Sequence, residues 1–195
     1  MNNQNIIHQF QRIMQDFKAV QDSQTTLTEL MIPSYSNFGG KIHGGIILSL
    51  MDKVAYVCAA KHSDGYCITA SIDVVDFLAP VEVGDLVSLM ASVNYVGNTS
   101  MIIGIRVISE NLKTQVKKHT NTSYFTMVAI GDDHKPKVVP GLILKSADDV
   151  RRFAQSLNRK KLKANYKKDE ASIKDDYTDA QCVTLLKGER CQISL

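Results

Sequence analysis

The chain contains no run of about 18 apolar residues that could span a bilayer. Its start, Met-Asn-Asn-Gln-Asn, lacks the basic stretch and apolar run of a secretory leader. A soluble, cytoplasmic protein with no membrane span is the expectation. Cysteine is scarce, and Cys58, Cys67, Cys182 and Cys191 show no paired metal-site spacing, so they read as reduced thiols. The final Ile-Ser-Leu lacks the central Lys of a peroxisomal address. Internal repeats and low-complexity tracts are absent. Positive charge is missing from most of the chain: of a formal net +3, residues 145–168 carry nine basic and two acidic side chains, leaving 14 basic and 18 acidic elsewhere. A mildly acidic body argues against a nucleic-acid-binding core, which needs Lys and Arg spread across one face. The basic stretch alone could touch phosphates or a membrane surface.

What is present is one core's worth of apolar residues, 44% of 195. Ile6, Phe10, Ile13, Met14, Phe17 and Val20 recur at spacings of three and four, predicting an amphipathic helix over residues 1–22. Residues 25–31 read as a strand. Residues 46–60 carry apolar groups on every face at helical spacing, the pattern of a buried helix. Residues 67–74 alternate, with Ile68, Ala70, Ile72 and Val74 facing one way, as a half-buried strand does. Residues 86–93, 101–108 and 120–130 repeat that pattern. Ser146 followed by Asp149 predicts a helix start, with a basic helix over 146–163 and a charged, mobile tail over 164–195. The body, 23–145, is then an α+β domain in which one curved antiparallel sheet wraps around a long central helix.

Within that helix stands one carboxylate, Asp52, downstream of the glycine pair Gly44 and Gly45. The first turn of a helix presents unpaired N–H groups at a positive dipole end, a place for a developing oxyanion. Leu48, Ala55 and Ala59 share the Asp52 side at helical spacing, so burial would raise its pKa and strengthen it as a base. The other readings are a solvated Asp52–Lys53 stripe or a structural ion pair. Seven residues separate Gly45 from Asp52, about 10 Å along a helix, too far for both to touch one carbonyl. A site shared between two chains follows. His43, just before the helix, fits either a structural cap or a hydrogen bond to substrate.

Four blocks of this sequence resemble one family. They are Asn37-x-x-Gly40-x-x-His43-Gly44-Gly45 with Leu48-x-x-Met51-Asp52-x-x-Ala55; Thr69-x-Ser71-Ile72-Asp73-x-Val75-x-Phe77-x-x-Pro80-x-x-x-Gly84-Asp85; Val96-Gly97-Asn98-Thr99-Ser100-Met101; and Tyr124-Phe125-Thr126-Met127-Val128-Ala129 leading to Val139-Pro140. In that order they resemble the hotdog-fold acyl-CoA thioester hydrolases, in the cytosolic acyl-CoA hydrolase branch. The resemblance implies hydrolysis of an acyl-CoA to a free fatty acid and CoA, with Asp52 as base or nucleophile. It implies Asn37 as the residue positioning water or polarising the site, and the Gly44 and Gly45 amides as the thioester-oxygen site. It also implies a homodimer at least, with Asn37 of one chain facing Asp52 of the other, in a family that often forms trimers of dimers.

Thioester hydrolysis suits a carboxylate, because the thiolate leaves readily and the remaining tasks are water activation and oxyanion stabilisation. No metal and no other cofactor is expected, CoA being part of the substrate. Gly97, Asn98, Thr99 and Ser100 offer amides and hydroxyls for CoA phosphates, or form an ordinary hairpin turn. The family usually has Arg where this chain has Asn98, which removes a bidentate phosphate contact. Two rivals remain: a non-catalytic hotdog sensor that binds acyl-CoA, and a hydratase using an Asp and His pair.

Overall fold

A computed structural model describes residues 17–173, 178–192 and 194. The chain forms two compact units, one ending at Ala154 and one beginning at Gln155. In the first unit, β1 (Phe17–Ala19), α1 (Val20–Ser23) and β2 (Thr25–Leu30) lead through a 3-10 turn (Pro33–Tyr35) to the long helix α2 (Gly44–Ser63). Strands β3 (Cys67–Ile72), β4 (Asp85–Val96), β5 (Ser100–Asn111), β6 (Lys117–Ala129) and β7 (Gly141–Ile143) follow.

Five strands form one antiparallel sheet in the order β2-β4-β5-β6-β3. Every second residue of the central strands is buried: Val87, Leu89, Ala91 and Val93, then Met101, Ile103, Ile105 and Val107, then Phe125, Met127 and Ala129. Period-two alternation places these on one face, and against it α2 lays Ile47, Leu50, Met51, Val54, Ala55, Cys58 and Ala59. Each fully buried side chain of this size contributes about 1.5–3 kcal/mol. This is the sheet-around-helix architecture expected from the sequence. Gly84, at φ +91°, turns the chain into β4, and the buried Asp85 carboxylate accepts hydrogen bonds from Ser109 Oγ at 2.6 Å and Glu82 N at 3.2 Å, fixing that corner.

Several expectations need correction. The apolar face of β3 is not half-buried: Ile68, Ile72 and Val74 are 40%, 45% and 79% exposed. The reason is register: Cys67 and Thr69 pair with the buried Ala129 and Met127 on the face towards α2, so Ile68 beside Val128 points to the other face. Among the described residues, α2 is covered on one side alone; Asp52, Lys53, Tyr56 and Val57 lie on its open side. Residues 110–120 are mostly strand, because β5 and β6 extend to a tight turn after Asn111. Most of the helix expected over 1–22 lies outside the described residues; Phe17 sits in β1, which pairs in parallel with β7. Position 163 is no boundary, since α3 runs unbroken over Ala147–Ile173, and α4 (Asp179–Leu185) follows.

The start of α3 matches its sequence signature. Asp149 N donates to Ser146 Oγ at 3.1 Å, while Asp149 Oδ2 accepts from Ser146 N and Lys145 N, each at 3.1 Å. That reciprocal pair is a capping box. Burial raises the Asp149 pKa, but these hydrogen bonds outweigh it and hold the carboxyl below its ordinary value.

At the other end of α2, the buried His62 ring lies 2.8 Å from the Pro140 carbonyl through Nε2, tying the helix to the segment leading into β7. Its Nδ1 has no hydrogen-bond partner among the described residues. Burial holds the ring's pKa below its ordinary 6.5, the Pro140 contact opposing only in part. The folded state therefore binds fewer protons than the unfolded one, and stability present above pH 6.5 is lost as pH falls towards the folded pKa. Urea unfolding across that range is expected to show a steeper loss for the parent than for His62→Gln, whose amide can still donate to Pro140. Parallel pH dependences would contradict this.

Candidate active site

Loop 36–42 is built around Asn37. Its Oδ1 accepts from Gly39 N at 2.9 Å and Lys41 N at 3.2 Å, while its backbone N donates to Lys41 O at 2.7 Å. With the carbonyl oxygen committed to the loop, the amide Nδ2 is left to donate outward. Gly40, at φ +75°, completes the turn, and the Ile42 N–H donates to Val81 O at 2.9 Å, anchoring the loop to the core.

His43 is the N-cap of α2: its Nδ1 accepts from Gly45 N at 2.9 Å. The cap reading is therefore seen, through Nδ1, and Nε2 takes no part in it. This also revises the pair of glycine amides, because the Gly45 N–H is occupied by the imidazole and only the Gly44 N–H faces no acceptor among the described residues. A side chain at Gly44 would meet the Phe77 ring at 3.0 Å, so glycine permits that ring to lie over the helix start.

Asp52 is not in the core. Ala55 and Ala59, expected beside it, point inward at 0% exposure, whereas Asp52 is exposed on the open side of α2. There its Oδ1 accepts a 2.6 Å hydrogen bond from Thr69 Oγ1 on β3. That bond fixes the carboxylate's rotation and leaves Oδ2 as the oxygen able to take a proton. Thr69 was not singled out as a catalytic partner in the sequence; its signal was its place on the polar face of the strand that follows the helix. Asp52 and Thr69 share an open groove of about 490 Å³ with Lys53, Tyr56, Val57, Tyr66, Cys67 and Ile68. Thr69→Val is expected to lower kcat by about 10- to 100-fold, with KM unchanged and Thr69→Ser restoring most of it, because only aim is lost.

The structure gathers Asn37, His43, Gly44 and Gly45 at the start of α2, and Asp52 with Thr69 two turns further on, about 10 Å away. One chain does not join the two groups. The turn at Gly97–Ser100 closes through Gly97 N to Ser100 O at 2.7 Å; the Asn98 and Thr99 carbonyls accept from Val139 N and Ala129 N, both at 3.0 Å. Ala129 pairs with Cys67, so strand β6 separates this turn from the groove. Cys58 offers no nucleophile: burial pushes its thiol up to about 12. Among the described residues no three His, Cys, Asp or Glu side chains cluster as a metal site, and no helix is long and apolar enough to cross a membrane.

A sheet around a long helix with a carboxylate in an adjoining groove is the hotdog arrangement, and comparison with known proteins shows the family. The thioesterase superfamily profile matches residues 39–116. Protein VdlD of Helicobacter pylori is 43% identical over 137 residues, 70% of this chain and 78% of that protein. The uncharacterized acyl-CoA thioester hydrolase YkhA of Bacillus subtilis is 30% identical over 152 residues, 78% of this chain and 88% of that one. An apo-hexameric acyl-CoA thioesterase superposes with a TM-score of 0.75 at 37% identity, covering 80% of this chain and 98% of that chain. The Staphylococcus aureus acyl-CoA hydrolase, solved with butyryl coenzyme A, coenzyme A and coenzyme A disulfide, superposes at 0.73 with 28% identity, covering 80% and 96%. Structures of that enzyme include alanine variants at an asparagine, an aspartate and a threonine, spaced along its chain as Asn37, Asp52 and Thr69 are here. The chain belongs to the hotdog-fold acyl-CoA thioester hydrolases of the thioesterase superfamily.

Proposed function

We infer that the protein hydrolyses acyl-CoA to a free carboxylic acid and CoA, using Asp52 to activate water in a site completed by a second protomer. The observation that carries this reading is the Thr69–Asp52 hydrogen bond, which aims a carboxylate into a groove and leaves one oxygen unengaged. The matching asparagine, aspartate and threonine spacing in the S. aureus hydrolase supports it.

The water oxygen bonds to the thioester carbon as its proton passes to Asp52 Oδ2. The carbonyl electrons move onto oxygen, where Asn37 Nδ2 and the Gly44 N–H of the partner protomer stabilise the charge. Their return breaks the C–S bond, and the departing CoA sulfur takes up the proton held by Asp52. No metal or other cofactor enters this sequence. Gly97, Asn98, Thr99 and Ser100 are the proposed contact for the CoA phosphates.

A dimer is needed because the start of α2 and Asp52 of one chain lie about 10 Å apart along the helix, and the exposed Ile72 and Val74 give it a surface. The hexameric relative supports assembly of three such dimers. A cytoplasmic enzyme of fatty acid metabolism fits free, buried thiols such as Cys58 and Cys67. The test is release of free CoA thiol from butyryl-, octanoyl- and palmitoyl-CoA by the parent, in the presence and absence of a chelator. Turnover insensitive to the chelator is expected; binding without thiol release would make the protein a sensor.

A further inference from the structure

Beyond the reacting carboxylate, the groove contains a feature the hydrolytic step does not use. Tyr56 stands one helical turn past Asp52 on the same side of α2, about 6 Å along the axis. Its ring packs against Tyr66, with centroids 6.2 Å apart and planes at 58°. Both rings line the groove that holds Asp52, yet they are 39% and 58% exposed, so the chain's own core does not employ them. Their neighbours on the wall, Val57 and Ile68, are 38% and 40% exposed. Asp52 and Thr69 meet at one place along the groove and Tyr56 and Tyr66 at another, and most of its surface is apolar.

We propose that Tyr56 and Tyr66 form the wall against which the substrate's acyl chain ends, and that this pair restricts the enzyme to short acyl groups. The proposal rests on the thioesterase reading and adds the substrate class. Ring faces and methyl groups make up most of this wall, a surface that suits methylenes better than the two amides of the pantetheine arm. An acyl chain has no such groups, and burying its methylenes against the rings is favourable. The groove's volume falls in the ordinary range for a small-molecule site. With one turn of helix between the carboxylate and Tyr56, a chain laid along α2 meets the ring after a few carbons.

The test compares the parent, Tyr56→Ala, Tyr66→Ala and Tyr56→Phe with butyryl-, octanoyl- and palmitoyl-CoA. In parallel, calorimetry measures binding of the corresponding thioether analogues, which cannot be hydrolysed. The ratio of kcat/KM for palmitoyl- over butyryl-CoA is expected to rise by about tenfold or more in either alanine variant and to stay unchanged in Tyr56→Phe. The thioether affinities should shift the same way. An unchanged ratio in both alanine variants, or an equal loss for all three chain lengths, would overturn the proposal. A parent that binds short thioethers preferentially and shows the affinity shift, but releases no thiol, would instead support the wall and refute the hydrolase reading.

Discussion

Asp52→Ala is expected to fold and assemble like the parent and to lose about 10²- to 10⁴-fold in kcat, the range for removing a general base. The fold should survive because Asp52 lies on the open side of α2 and its one observed hydrogen bond is donated by Thr69. Without the carboxylate, the attacking water has no acceptor for its proton, while the groove that binds the acyl chain is unaltered. KM should accordingly stay within a few-fold of the parent's. Steady-state thiol release together with circular dichroism checks both halves. A variant that retains parental kcat would assign the base elsewhere.

Asn37→Asp should produce the second large loss, about 10²- to 10³-fold in kcat, with loop 36–42 intact. The two ends of the Asn37 amide have separate tasks: Oδ1 accepts from Gly39 N and Lys41 N to shape the loop, and Nδ2 is the donor offered to the developing oxyanion. Aspartate keeps the acceptor and replaces the donor with a second oxygen, placing negative charge where negative charge develops. Asn37→Ala removes both, so it should add a stability loss that Asn37→Asp does not share. Unfolding midpoints and kcat measured on both variants separate these contributions. An Asn37→Asp enzyme with near-parental kcat would remove Asn37 from the oxyanion site.

The long helix is legible in the sequence because His43, Gly44 and Gly45 precede a continuous apolar segment. The central strands are legible because their alternation persists over many residues. Asp52 stood out as the lone carboxylate in that segment. The exposure of Asp52 was not legible, since Tyr56 and Val57 on the open side of α2, and Ile68 and Ile72 on the edge strand, have the chemistry of core residues. An apolar surface reserved for a substrate or a second copy has the same composition as one buried within the chain. The parallel pairing of β1 with β7 was likewise hidden, because three residues carry no measurable period. The Thr69–Asp52 bond joins residues 17 apart in sequence on different elements, and only the fold brings them together. The role of His43 depended on ring orientation, which spacing alone does not determine.

Co-expression of Asn37→Asp with Asp52→Ala tests the shared site most directly. Each variant alone lacks one half of every site. Random pairing makes half of the dimers mixed, and each mixed dimer contains one site with both residues intact when Asn37 and Asp52 act across the two-fold axis, as a symmetric interface requires. The account predicts recovery of about a quarter of the parent's activity. If the two residues served one site within a single chain, no mixed dimer would hold an intact site. Activity no higher than that of the separate variants, in verified mixed dimers, would contradict the account.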